Sequence, residues 1–345
     1  MSTVSGNVTT TIYDKSKNIL AAQKTSNIIW AIAGGIGLLM GALQLITILF
    51  WKPLRKMEYS IISAIAVGDW IKCFGYCVLA IRRLYETATG GHDVTSQWRC
   101  MIWLFPMIAP EYSVLTLMIL LSFDRLLALA VPMWYKNRNL RFKLLLSITS
   151  VIIGSVISTG IFIGTSDTLV VPVCAFGTSL TKTFETFVSW FENSSDFCVL
   201  FLNLTSCVIL IFRWRKAVKD KKDMKTFKKN VQLNALKMIL AVATVFLVSS
   251  AMGSLWVVII RSVGWDDAMI MSYTPLGGVF QLLRCVFDFP IYVVMVKEFQ
   301  DGFKQVILQG YCFRKGTVTP AGTPSDPASV KPTPQLRASK MVSHF

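Results

Sequence analysis

The sequence predicts an all-α membrane protein: a seven-transmembrane helix bundle followed by a short cytoplasmic amphipathic helix. Three observations carry that expectation. Hydrophobic residues make up 53% of the 345 and charged residues only 16%, where soluble domains carry about 25% charged residues. The apolar residues fall in seven blocks, 28–50, 59–80, 101–122, 144–163, 189–212, 236–260 and 273–296, each near the ~20 residues that a spanning helix needs. With the amino terminus outside, 25 of the 35 Lys and Arg residues fall on inner segments and eight on outer ones. Such a bias orients a chain, here amino terminus out and carboxyl terminus in.

The same numbers exclude other classes. The net charge of +16 sits in short segments between apolar blocks, which is an orientation signal and does not point to nucleic acid. Two histidines and eight scattered cysteines offer no CxxC pair or other metal-ligand spacing, so neither a metal nor another cofactor is expected. No Gly-rich phosphate loop and no Ser-His-Asp arrangement is visible, so no catalytic residue is assigned.

Residues 1–27 are polar, with no short apolar region and cleavage site; they read as an extracellular tail without a cleaved signal peptide. Asn7-Val8-Thr9 is a glycosylation sequon on that tail. In the first block Gly34-Gly35-x-Gly37 suits closely packed membrane helices. The second carries Asp69 and Lys72, the third Glu111, and the seventh Arg284 and Asp288, while Glu192 and Asp196 stand near the outer end of the fifth. Charges at such depth are costly and mark functional sites or buried pairs. The inner segment 213–237 is rich in Lys and Arg, which attract anionic lipid. After the seventh block, Phe299, Phe303 and Val306 fall at helical spacing among polar residues, as an interfacial helix requires. Cys312 just beyond is a palmitoylation candidate. The organisation is thus a tail 1–27, a bundle with its interfacial helix 28–310, and a Pro/Ser/Thr-rich, disordered cytoplasmic tail 311–345.

The stretch from Cys100 to Tyr135 ties these parts together. From Cys100 to Arg125 a helix at ~1.5 Å per residue spans roughly 37 Å, with Asp124-Arg125-Leu126 at its inner end and Pro132 and Tyr135 beyond. The spaced cysteine, the Asp-Arg pair and the proline seven residues on resemble the third helix of rhodopsin-like (class A) G-protein-coupled receptors. Leu126 departs from that family's Asp-Arg-Tyr. The resemblance implies that Arg125 pairs with Asp124 at rest and is freed to receive the G protein, with Pro132, Tyr135 and Tyr292 in the coupling region. Asp288, Pro290 and Tyr292 are similar to the family's Asn-Pro-x-x-Tyr, with the proline displaced by one. The predicted topology puts Cys100 and Cys174 on the oxidising face, and their pairing resembles the family's bridge to the second outer loop; two free thiols is the alternative. Asp69 stands where many members hold a sodium ion. Arg284, four residues from Asp288, is expected to occupy that place as a fixed guanidinium.

The resemblance covers roughly residues 28–310 and fails in places. The fourth block lacks the family's central Trp, and the fifth and sixth lack prolines, although Trp256 is present. These losses resemble nematode serpentine chemosensory receptors. The implied function is a plasma-membrane receptor, chemosensory or neuropeptide-type, that binds an extracellular ligand and promotes nucleotide exchange on a heterotrimeric G protein. Arrestin is a further partner that a phosphorylated tail would recruit. Lys72, Glu111, Glu192 and Asp196 are the pocket candidates, with a buried structural Lys72–Glu111 pair as an equal alternative. The rival class is a transporter using the buried charges as an ion or proton path, against which stands the lack of a visible repeat between the halves. An opsin is disfavoured because no lysine precedes Lys297 in the seventh block.

Overall fold

The computed structural model describes residues 4–55, 60–136, 140–165, 169–175, 182–219 and 267–308, with isolated positions between 241 and 264. The sixth apolar block, the basic segment 220–237, Cys312 and the tail 311–345 lie wholly or mostly outside the described residues, as does the side chain of Asn7. In chain order the helices described over their length are α1 (Val4–Ala22), α2 (Lys24–Phe50), α3 (Ser60–Ala88), α4 (Gln97–Ala130), α5 (Pro132–Lys136), α6 (Leu140–Ile163), α7 (Lys182–Lys219), α8 (Asp267–Tyr273), α9 (Pro275–Met295) and α10 (Lys297–Phe303). A π-helical turn, Lys304–Leu308, follows α10. Among the described residues six helices are long and apolar enough to cross a membrane. The two short strands β1 (Thr95–Ser96) and β2 (Val170–Val171) pair antiparallel between the ends of the long helices.

The helices turn apolar side chains outwards and keep the charged side chains of their spans inside, as a bundle in lipid must. Ile32, Leu39, Ile81, Val156, Phe197 and Phe201 point outwards and are exposed, while Asp69, Lys72, Arg284 and Asp288 are buried. Among the described residues two large apolar clusters fill the interior. One, around Trp30, Tyr76, Leu104, Ile108 and Leu282, lies towards the end that carries Cys100 and Cys174. The other, around Ile62, Ile65, Val114, Met118, Tyr292 and Phe299, lies towards the Asp124 end. The buried charges sit between them.

Close backbone approach requires glycine at two positions. A Cβ at Gly154 of α6 would stand 2.4 Å from Ser113 Cα of α4, and one at Gly75 of α3 would stand 2.8 Å from the Met107 nitrogen. Where two helix backbones are this near, any side chain forces them apart. Thr116 uses the proximity, donating its hydroxyl to the Ser150 carbonyl of α6 at 2.8 Å. Pro106 and Pro110 lie inside α4 without ending it, since neighbouring helices and side chains serve the freed backbone groups in a membrane bundle.

One element differs from the sequence expectation. Residues 4–22 form a helix where the sequence offered only a polar tail. Its described inner positions, Ser16, Ile19 and Leu20, are buried at helical spacing, with Ile19 and Leu20 packed on Val173. The expected amphipathic helix is present as α10 and the turn after it, with its apolar face turned inwards: Phe299 of α10 and Val306 of the turn are buried, and Tyr292 stacks on Phe299 with ring centroids 5.2 Å apart. That face therefore docks on the bundle, with Gly302 lying against Trp51.

Candidate functional site

The side chains that carry charge into the bundle form one connected belt. On α3, Asp69 and Lys72 are three residues apart and share the buried face. Arg284 of α9 reaches across and donates from Nη2 to Asp69 Oδ1 at 2.7 Å. The Cys285 thiol is 3.5 Å from the same oxygen. One turn along α3, Lys72 makes an ion pair with Glu111 of α4. The next residue, Tyr112, donates its hydroxyl to Glu192 Oε1 of α7 at 3.2 Å. Polar contacts thus tie α9 to α3, α3 to α4, and α4 to α7.

The physical reason for the belt is the cost of an unpaired charge in a low-dielectric interior, which opposite charges on facing helices offset. Asp288 is the member with least support: it is buried, and its Oδ1 makes no hydrogen bond among the described residues. Asp196 lies half-buried one turn beyond Glu192 on α7. Tyr292, one turn past Asp288, is buried with its hydroxyl unpartnered among the described residues.

At the Asp124 end, α4 closes at Ala130 and the chain turns through Val131 into α5, which Pro132 begins. Proline suits a first helical turn, where its missing N–H is not needed. The turn brings Tyr135 back to Asp124, and its hydroxyl lies 2.9 and 3.0 Å from the two carboxylate oxygens. Arg125 is half-buried beside it, with its Nε buried and without a hydrogen bond among the described residues. Arg213 of α7 donates to the Ala130 carbonyl at 3.3 Å, joining α7 to the same corner.

At the other end, Cys100 and Cys174 are joined in a disulfide with Cα atoms 5.2 Å apart. Around it lies a polar cluster that sequence reasoning missed. Arg82 Nη2 is 2.5 Å from Asp93 Oδ1, and Cys174 N–H donates to Asp93 Oδ2 at 2.9 Å. Arg83 donates from Nη2 to the Cys174 carbonyl. The Asp93 N–H donates to Ser16 Oγ of α1 at 3.1 Å, and Tyr13 packs against His92 with ring centroids 4.3 Å apart. Burial pushes the Asp93 carboxyl above its ordinary value, against the opposing pull of Arg82, Arg83 and the Cys174 N–H. The available signal was Arg82-Arg83 at the end of an apolar block, which counted only as outer-loop charge.

Among the described residues no group of three His, Cys, Asp or Glu side chains is placed to hold a metal ion. The arrangement offers a set of charge and hydrogen-bond locks between helices, which can hold or release relative helix positions.

Comparison with known proteins agrees with this architecture. The sequence model of the serpentine type 7TM GPCR chemoreceptor Srsx family matches residues 36–307. Among solved structures, squid rhodopsin superposes with a TM-score of 0.67 at 16% identity, covering 84% of this chain and 87% of that one; at such identity the likeness is one of fold. No curated protein matches.

Proposed function

The chain belongs to the Srsx family of serpentine chemoreceptors, and on that premise we propose that it is a plasma-membrane receptor coupling an extracellular ligand to nucleotide exchange on a heterotrimeric G protein. The observation that carries this reading is the family match across 36–307, which takes in both the charge belt and the Asp124–Arg125 corner. In the proposal the amino terminus and the disulfide face outwards, and the Asp124 end faces the cytoplasm, in line with the Lys and Arg bias. Asp124, held by Tyr135, and Arg125 form the receiving corner for the G protein, with Pro132 and Tyr292 shaping it. Lys72, Glu111, Glu192 and Asp196 are the polar groups available at pocket depth. Arg284 serves as a fixed counter-charge to Asp69, so the inner site needs no mobile cation.

Ligand binding shifts an equilibrium between two bundle states only by its differential affinity for them. The interhelical contacts of the belt differ between such states because each spans two helices. The test is ligand-free G-protein dissociation in cells, with surface level matched by an antibody against an amino-terminal tag on intact cells. Basal dissociation that Arg125→Ala removes, with the tag accessible from outside, is the expected result. A tag accessible only after permeabilisation would overturn the orientation and the receptor reading with it.

A further inference from the structure

The outer ends of α2 and α3 hold two fully buried polar side chains with unmet hydrogen-bonding capacity. Asn27 is 0% exposed, and neither its Nδ2 nor its Oδ1 has a partner among the described residues. Arg83 is 1% exposed, and its Nε and Nη1 are likewise without hydrogen bonds. The two helices run antiparallel, and the contacts of α2 glycines fix their register. Gly41 meets Trp70, Gly37 meets Cys73 and Gly34 meets Cys77. Two further turns outward on each helix bring Asn27 level with Arg83. Trp30, one turn in from Asn27 on the same face, has the Arg83 guanidinium over its ring at 5.5 Å.

Leaving such groups unpaired costs about 1–3 kcal/mol each, more when charged, so their conjunction asks for an occupant. The charges define it. Asp93 has Arg82 as its near partner at 2.5 Å, whereas Arg83 Nε stands 4.0 Å from the other oxygen. Arg83 thus shares Asp93 with Arg82, and the half-buried Glu86 acts on the same cluster. A single carboxylate therefore gives Arg83 the close partner it lacks, where a phosphate dianion would overload the cluster with negative charge. A carboxylate takes N–H bonds from Arg83 and from Asn27 Nδ2, and charge-assisted bonds of this kind are the strong ones. Asn27 Oδ1 then accepts from a hydroxyl or N–H on the adjacent carbon. The Trp30 ring forms the inner wall, and α1 packs over this end through Ser16, Ile19 and Leu20.

We infer that this chain has a binding site for an organic monocarboxylate with a neighbouring hydroxyl or N–H, built from Arg83, Asn27 and Trp30. As the ligand class of the receptor the site rests on the proposed function; as a binding site it does not.

The experiment therefore reads binding apart from signalling. Thermal unfolding of the purified full chain in lipid nanodiscs is followed with 2-hydroxy carboxylates from lactate to 2-hydroxyoctanoate, each against its primary amide. At least one acid raises the Tm saturably while its amide does not. Arg83→Gln weakens half-saturation about tenfold or more, the loss of one charge-assisted bond. Asn27→Leu, near in volume and free of unmet polar atoms, unfolds no lower than the parent yet loses the response to acid. No shift with any acid, equal shifts with amides, or a response untouched by both substitutions would overturn the site. The same acids are then applied to cells in the G-protein assay. A Tm response without G-protein dissociation leaves the site standing and counts against the receptor reading.

Discussion

Arg284 shows how far single residues were legible. A guanidinium in an apolar block demands a partner, and the sequence offered both Asp288, four residues on, and Asp69 on a distant helix. The geometry gives Asp69 the 2.7 Å contact, a choice that depends on helix rotation and that no local spacing encodes. Ligand binding is therefore expected to be indifferent to sodium, measured as ligand affinity in sodium against choline buffer. A clear sodium effect that vanishes in Asp69→Asn would contradict it. Glu111→Gln strips Lys72 of its counter-charge, a loss worth about 3–5 kcal/mol for a buried pair. Surface abundance by flow cytometry falls accordingly, and Lys72→Met with Glu111→Leu restores it, since an apolar pair of similar size is often neutral. Tyr135→Phe frees Asp124 of a bond to a charged group worth about 1.5–3 kcal/mol; basal G-protein dissociation rises if that bond holds the resting corner.

The helices themselves were the most readable feature, because a span of ~20 apolar residues admits little else in lipid. Their boundaries were less so: α3 runs to Ala88 and α7 begins at Lys182, beyond the apolar blocks, because a helix continues past the hydrocarbon wherever its backbone bonds continue. Helix α1 was not legible at all. Its buried stripe is short, and Ser16 contributes through one hydrogen bond to the Asp93 backbone, so neither hydropathy nor length announced it. The Arg82–Asp93 cluster was hidden likewise, as its partners lie on separate segments. Helix packing carries a prediction of its own. Gly154→Ala sets a methyl 2.4 Å from a backbone atom of α4, and neither helix can yield as a flexible side chain would. Overpacking of this kind costs about 1–3 kcal/mol. The Tm of the purified protein falls, whereas Gly160→Ala, with open space around it, does not lower it, since alanine favours a helix over glycine.

For the whole molecule, a bundle that is apolar outside and charged inside carries its information in contacts between helices. The belt from Arg284 through Asp69, Lys72, Glu111 and Tyr112 to Glu192 lies between the disulfide end and the Asp124 end. In the proposed function it is the stretch through which an outer ligand biases an inner corner. The measurement that tests this most directly is nucleotide exchange on purified heterotrimeric G proteins of each class, reconstituted with the full chain in nanodiscs. One class is expected to exchange faster with the parent protein than with empty nanodiscs, and Arg125→Ala to return the rate to that background while the Tm is kept. Exchange at background for every class, or an acceleration that Arg125→Ala leaves intact, would contradict it.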